Sequence, residues 1–270
     1  MSRVHYTQAE FVTALKNIGI KRGDTLYSHS NIGFFGRPEG AKTVADAFEI
    51  ILEAVLTVIG AEGTLVVPTF TYSFPKNQIF DYNETASTCG VFTEMLRQYP
   101  DVHRSLDPCI SVAAIGAKAV ELTTNMPVNA YGVDSFFDRF YAHNGIICNF
   151  NFDAGSTFIH YVERCLNVPY RFDKLFKGQI IYNDQIIDGE SCLFVRYLAD
   201  GTEAKFEPFD RLARLEGLYR TQRVGRGFVG AISAKQTFDL IKMTLPYRPW
   251  LLTAADEAMV KPDITQFVAN

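Results

Sequence analysis

Thr25-Leu26-Tyr27-Ser28-His29, then Ser30-Asn31-Ile32-Gly33-Phe34-Phe35-Gly36, then Lys42 to Ile59, then Thr64-Leu65-Val66-Val67-Pro68: these consecutive stretches decide the fold. The first follows a Gly23-Asp24 turn and reads as a buried strand. The second is a loop carrying Ser, Asn and two glycines. In the third, Val44, Phe48, Ile51, Val55 and Ile59 form one stripe at helical spacing, and Gly60 supplies a stop. The fourth is another short strand. A strand–loop–helix–strand series is the repeating unit of an α/β protein with a parallel or mixed sheet.

Working outward, residues 8–18 read as a short amphipathic helix. A second helix is expected from Val91 to Gln98, with Thr88 as its cap. Ile110 to Ile115 and Gly145 to Asn149 read as strands. Ser156 to Leu166 has a helical pattern, with Ser156 capping and Phe158, Ile159, Val162 and Leu166 on the apolar face. After Tyr170 the pattern alternates: residues 178–204 read as β-hairpins, with turns at Asn183-Asp184, Asp188-Gly189 and Asp200-Gly201. Helices around Asp210–Leu215 and Ala234–Leu245 close the chain. The expected fold class is α/β, a central mixed sheet with flanking helices and an additional antiparallel β region in the C-terminal half. No repeat, linker or shift of composition marks a boundary, so residues 1–270 are expected to form one domain, with a hairpin-rich subregion at about 178–205.

Composition excludes several classes. Of 270 residues, 47% are hydrophobic, ordinary for a globular chain able to bury a large core. The longest apolar run, Val55 to Ile59, is too short to cross a bilayer, and Met1-Ser2-Arg3-Val4-His5-Tyr6 lacks the apolar stretch of a signal peptide. A cytoplasmic protein with no membrane partner is expected. The net charge of −4 is mild, and no Lys/Arg run points to nucleic acid. Nor does a clustered acidic surface suggest a polycation. Cys89, Cys109, Cys148, Cys165 and Cys192 are odd in number and widely spaced, which predicts reduced, mostly buried thiols. His5, His29, His103, His143 and His160 show no ligand spacing, so no metal is expected.

Three segments carry candidate chemistry. The Ser30–Gly36 loop before a helix can present backbone N–H groups to a phosphate, or is an ordinary βα turn. It matches neither G-K-[ST] nor G-x-G-x-x-G. His160 and Glu163 stand three apart and share a helix face, so the carboxylate can fix the imidazole tautomer and raise its basicity, or the two are incidental neighbours. Arg104-Ser105-Leu106-Asp107-Pro108-Cys109-Ile110-Ser111 offers a guanidinium for a phosphate and a hydroxyl donor, or is simply a loop entering a strand.

Taken in order, these segments resemble the aminoglycoside 3-N-acetyltransferase family. The resemblance rests on Gly23 to Ser30, Gly40-Ala41-Lys42-Thr43-Val44, Gly63 to Phe70, Arg104 to Gly116, Tyr131-Gly132-Val133-Asp134-Ser135, Thr157 to Glu163 and Val168-Pro169-Tyr170-Arg171. It covers about residues 15–175, with a weaker likeness from Gly225 to Leu245. It implies a CoA-dependent N-acyltransferase using acetyl-CoA or another acyl-CoA as co-substrate and no metal. His160 is implied as general base and Glu163 as its orienting partner, in direct transfer without an acyl-enzyme. Ser30, Asn31, Gly33, Phe34, Gly36, Thr43, Thr69, Phe70, Arg104, Ser105 and Ser111 are implied to hold CoA. Tyr131, Asp134 and Glu163 are implied to face the acceptor. Ser30, Asn31 and Thr69 are candidates for stabilising the tetrahedral oxyanion.

Some positions depart from the pattern. Asp107 stands where relatives usually carry histidine, Phe136 replaces a proline, and Ala154-Gly155-Ser156 precedes Thr157. With the mild acidity, these departures lead to an expected acceptor that is a nucleotide-linked amino sugar of surface-polysaccharide synthesis. An aminoglycoside antibiotic is the alternative acceptor, and the protein is expected to be a monomer or homodimer. Rival classes are a non-catalytic CoA- or nucleotide-binding protein and a thiol or serine hydrolase using Cys148 or a serine with His160; no G-x-S-x-G elbow is present, and Cys148 lies in an apolar strand where a thiolate is costly.

Overall fold

The structure, a computed structural model, describes residues 3–259 and 261–265, so Met1 and Ser2 lie outside the described residues. Its centre is a seven-stranded mixed sheet built from β1 (Thr25–Tyr27), β2 (Thr64–Pro68), β4 (His103–Arg104), β5 (Val112–Gly116), β6 (Ile146–Phe150), β9 (Arg220–Val224) and β10 (Gly227–Ser233). The order is β4-β5-β2-β1-β6-β10-β9. Only β1 with β2 and β1 with β6 run parallel; the outer pairs are antiparallel. β3 (Phe80–Asp81), β7 (Arg171–Tyr182) and β8 (Gln185–Arg196) make a second sheet. The expected α/β class is the one observed.

Each inner strand sends alternate side chains to two cores. Leu26, Leu65, Val67, Ala113 and Cys148 face a core shared with α1 (Gln8–Asn17), α2 (Val44–Ile59) and α3 (Val91–Arg97). Tyr27, Val66, Val112, Ala114 and Ile147 face the other, with α4 (Ala119–Thr123), α5 (Phe136–Ala142), α6 (Phe158–Cys165) and α8 (Ala234–Thr244). Burial on both faces explains why the strands read as continuous apolar runs. The loops after β1 and β6 leave neighbouring parallel strands at the same end of the sheet, where open α/β sheets form crevices for ligands.

Several local expectations are corrected. Of the α2 stripe, Phe48, Ile51, Val55 and Ile59 are buried but Val44 is 58% exposed, because it opens the helix at the surface. Thr43 caps that helix, accepting the Asp46 N–H at 3.1 Å. Thr88 does not cap α3, which starts at Gly90 with no side-chain cap; its hydroxyl donates to the Phe70 carbonyl at 2.9 Å. Ser156 does serve the start of α6, accepting the Phe158 N–H at 3.3 Å. Only Cys109 and Cys148 are fully buried, whereas Cys165 is exposed at the end of α6.

The C-terminal β region is a single long hairpin. It turns at Asn183-Asp184, whose φ values of 50° and 59° suit a two-residue turn matched to strand twist. Asp188-Gly189 is no turn. Gly189 lies inside β8 opposite Gly178 of β7, and both lie under the Phe74 ring. A Cβ on Gly178 would come within 2.7 Å of that ring, so the ring sits where only hydrogen fits. Gly178→Val is therefore expected to destabilise the protein by about 1–3 kcal/mol through overpacking, read as a lower denaturation midpoint. An unchanged midpoint would show that the hairpin yields freely.

Candidate active site

Helix α6 presents His160 one turn above Glu163. Nδ1 of His160 lies 2.6 Å from Oε2 of Glu163, which has no exposed surface. The Tyr170 hydroxyl donates to the other carboxylate oxygen at 3.0 Å, and Arg171 Nε stands 2.8 Å from Oε2. Burial pushes this carboxyl up, but His160, Arg171 and Tyr170 together outweigh it and hold it below the ordinary glutamate value. An ionised carboxylate only accepts, so Nδ1 carries the ring proton and Nε2 keeps its lone pair. Nε2 has no hydrogen-bond partner among the described residues. Burial, then Arg171, lowers the His160 pKa against the opposing pull of Glu163, so the imidazole is neutral near pH 7. Tyr131 meets the His160 ring edge-on at 5.9 Å and Phe206 lies at 5.7 Å, walling it with aromatic surface.

A cavity of about 820 Å³ lies between the β1 loop, the start of α2 and the start of α3, and His160 is not among its lining residues. Ser30, Asn31, Gly33, Gly36 and Thr43 line it, as expected, and Phe34 stands at its outward continuation. Val44, Ala47, Val91 and Phe92 give it apolar walls. The Ser30 hydroxyl is buried with no hydrogen-bond partner among the described residues, an orphan beside the cavity. Two backbone donors at the α2 start are already taken: Asp46 Oδ2 accepts the Lys42 and Thr43 N–H groups at 2.7 and 2.9 Å. The remaining positive groups there are side chains, Arg37, Lys42 and Arg226.

A short chain of contacts joins cavity and base. Phe152, on the cavity wall, faces the His29 ring at 6.4 Å. His29 Nε2 accepts the Thr157 N–H at 3.3 Å, and the Thr157 carbonyl accepts the His160 N–H at 3.0 Å.

The Arg104 segment lies elsewhere. The guanidinium is buried, donating to the carbonyls of Tyr82, Thr85 and Thr69 and to the Ser111 hydroxyl, and it stacks over Phe80 at 4.8 Å. Burial lowers its pKa to about 10. Thr69 and Ser111 share a hydroxyl contact at 2.9 Å, and Ser105 Oγ accepts the Val112 N–H at 2.9 Å. None of these residues lines the cavity. They brace β2, β4 and β5, and the Phe70 carbonyl holds Thr88 at the cavity rim. Asp107 is likewise internal, accepting from Cys109 N, Ile110 N and the Ser191 hydroxyl. Asp134 is on the surface, clamped by Arg139 at 2.8 and 3.0 Å, while Tyr131 does sit beside the base. Arg171 and Tyr170 carry roles that sequence reasoning left unassigned; the Val168-Pro169-Tyr170-Arg171 motif was the available signal. Cys148 is buried in β6 with its thiol pushed up to about 12 by burial, unsuited to nucleophilic attack.

The family model described as aminoglycoside 3-N-acetyltransferase matches residues 29–246. An aminoglycoside N(3)-acetyltransferase IX of Micromonospora chalcea is 27% identical over 252 residues, spanning 81% of this chain and 86% of that relative. A solved structure described as AAC-IIIb in a binary complex with CoASH superposes with a TM-score of 0.78 at 18% identity, covering 89% of this chain and 96% of the other. An aminoglycoside acetyltransferase AAC(3)-IVa mutant in complex with a gentamicin also gives 0.78, at 22% identity over 97% and 96%. At these identities the structural likeness is one of fold.

Glu163→Gln removes the charge that raises the His160 pKa. The acid limb of the pH–kcat profile is expected to move to lower pH while kcat drops at least about tenfold. Arg171 loses its buried counter-charge, at a cost of about 3–5 kcal/mol. Because the folded Glu163 pKa is depressed, its stabilisation is present above the unfolded value and is lost as pH falls through the folded one. Wild-type and variant melting curves that fall in parallel from pH 7 to 3 would contradict this.

Proposed function

Because the chain belongs to the aminoglycoside 3-N-acetyltransferase family, we propose that it moves an acetyl group from acetyl-CoA, held in the groove beside α2, to an amine of an aminoglycoside. It is an N-acetyltransferase acting on an amine with acetyl-CoA as co-substrate. The observation that carries the residue roles is the 2.6 Å bond from His160 Nδ1 to a fully buried, ionised Glu163. It leaves Nε2 as a neutral base aimed by its own carboxylate. The acceptor nitrogen attacks the thioester carbonyl, Nε2 takes the proton the nitrogen sheds as the C–N bond forms, and the C–S bonding pair leaves with the CoA sulfur.

What supports an aminoglycoside over the nucleotide-linked sugar expected from sequence is twofold. The curated relatives carry that activity in their names. The flank of the base is also acidic. Phe206 leads directly into Glu207 and Asp210 of α7 (Glu207–Leu215), and Asp153 lies against the same Gly155 as Phe206. Burial raises the Asp153 carboxyl against the Gly155 N–H, and Asp210 and Glu207 add repulsion that Arg214, paired with Asp210 at 2.8 Å, offsets in part and an ammonium would offset further. A diphosphate would meet the opposite. The sequence showed no acidic cluster because residues 153 and 207 are far apart along the chain.

His160→Ala is expected to lower kcat by about 10²–10⁴-fold with CoA binding intact. Wild type should acetylate gentamicin and leave a nucleotide-linked amino sugar untouched, followed by release of free CoA thiol. The reverse preference would return the acceptor to the nucleotide-linked class, and wild-type turnover by His160→Ala would remove the base.

A further inference from the structure

The groove carries three cations, Arg37, Lys42 and Arg226; Lys42 shares the field of the Asp46 carboxylate, whereas Arg37 and Arg226 have no carboxylate partner among the described residues. Arg226 comes from a part of the chain far from the other two. It sits on the tight turn joining β9 to β10, where Gly225 has a φ of 54°. That turn is locked onto the loop after β1. The Arg226 N–H donates to the Phe35 carbonyl at 3.1 Å, and a Cβ on Gly225 would fall 2.3 Å from that oxygen. A Cβ on Gly36 would come within 2.9 Å of the Arg226 side chain and 2.7 Å of the His5 ring. The turn that carries this guanidinium is thus fixed, and no carboxylate among the described residues pairs with it.

Its position is at the mouth. Arg226 lines the cavity and also its outward continuation, with Asn31, Gly33 and Phe34. Phe34 is 62% exposed, although the adjacent Phe35 is fully buried. An exposed aromatic ring beside a free guanidinium is a platform for a flat base next to a phosphate. The inner end, by contrast, is walled by Phe152 and leads through His29 to the helix of His160.

Acetyl-CoA has matching ends. The thioester must reach His160, so the adenosine is left at the mouth. Its ribose 3′-phosphate is a monoester carrying about −1.5 to −2 charges at pH 7, more than either phosphate of the diphosphate bridge. Arg37 and Lys42, closer to the start of α2, suit the bridge; a forked guanidinium suits the monoester. We infer that Arg226 recognises the ribose 3′-phosphate of CoA, with Phe34 covering the adenine, and so makes the enzyme select CoA over its 3′-dephospho form. This rests on the groove being the CoA site.

Titration calorimetry with CoA and 3′-dephospho-CoA tests it without needing the acceptor. Wild type is expected to bind CoA at least about tenfold more tightly. Arg226→Ala should lose that preference by weakening CoA alone, and Arg226→Lys should keep part of it, with both variants melting as wild type does. CoA binding without preference in wild type, or a preference that survives in Arg226→Ala, overturns the inference and leaves the groove assignment standing. Wild type that binds neither ligand overturns both.

Discussion

A carboxylate with no exposed surface, Glu163, is the point on which the site depends. Taking such a charge out of water costs several kcal/mol unless its oxygens are matched by donors and counter-charge. Here His160 comes from the same helix, while Tyr170 and Arg171 come from the start of the long hairpin. Arg171 also donates to the Phe194 carbonyl on the opposite arm. One buried anion therefore fixes the tautomer of the base and ties α6 to the second sheet. The orientation of the His160 ring and the docking of α6 on the second sheet are the same set of bonds.

The parallel centre of the main sheet explains how the groove and His160 come to one end of the molecule. The loop after β1 builds the groove, and the loop after β6 leads into the helix of the base. Because β1 and β6 are adjacent and parallel, both loops emerge at one end of the sheet. Asn149 joins them, accepting the His29 N–H and donating to the carbonyls of Asp153 and Gly155. The groove formed on one chain segment is thus tied to the helix of His160 formed on another.

The strand–loop–helix–strand start was readable because its periodicity and stops are local. The His160–Glu163 pairing was readable for the same reason. What sequence could not tell was the direction in which a motif faces. Arg104, Ser111 and Thr69 belong to a recurring pattern, yet their polar atoms are spent on one another and on backbone carbonyls inside the fold. Arg226 falls only in the weaker likeness from Gly225 to Leu245, where it had no role, and the β9–β10 turn folding onto the loop after β1 brings it to the groove. Asp188-Gly189 carries turn composition, but the Ile180 side chain, with the Phe74 ring beyond it, fills the space over Gly189, so glycine serves there for room and not for turning. Each miss arises where tertiary packing gives a residue its role.

The bond from Thr157 to His29 has a consequence for acid. Burial lowers the His29 pKa to about 4, so the ring is neutral and able to accept. Protonated, it presents a second donor to the Thr157 N–H, and the start of the α6 helix loses its tether. Unfolded chains protonate this histidine near pH 6.5, so the fold weakens from there down to about pH 4. Acid thus acts on the enzyme in two separable ways. Protonation of His160 takes the Nε2 lone pair from the proposed base in an intact molecule, whereas protonation of His29 unfastens the segment that carries it.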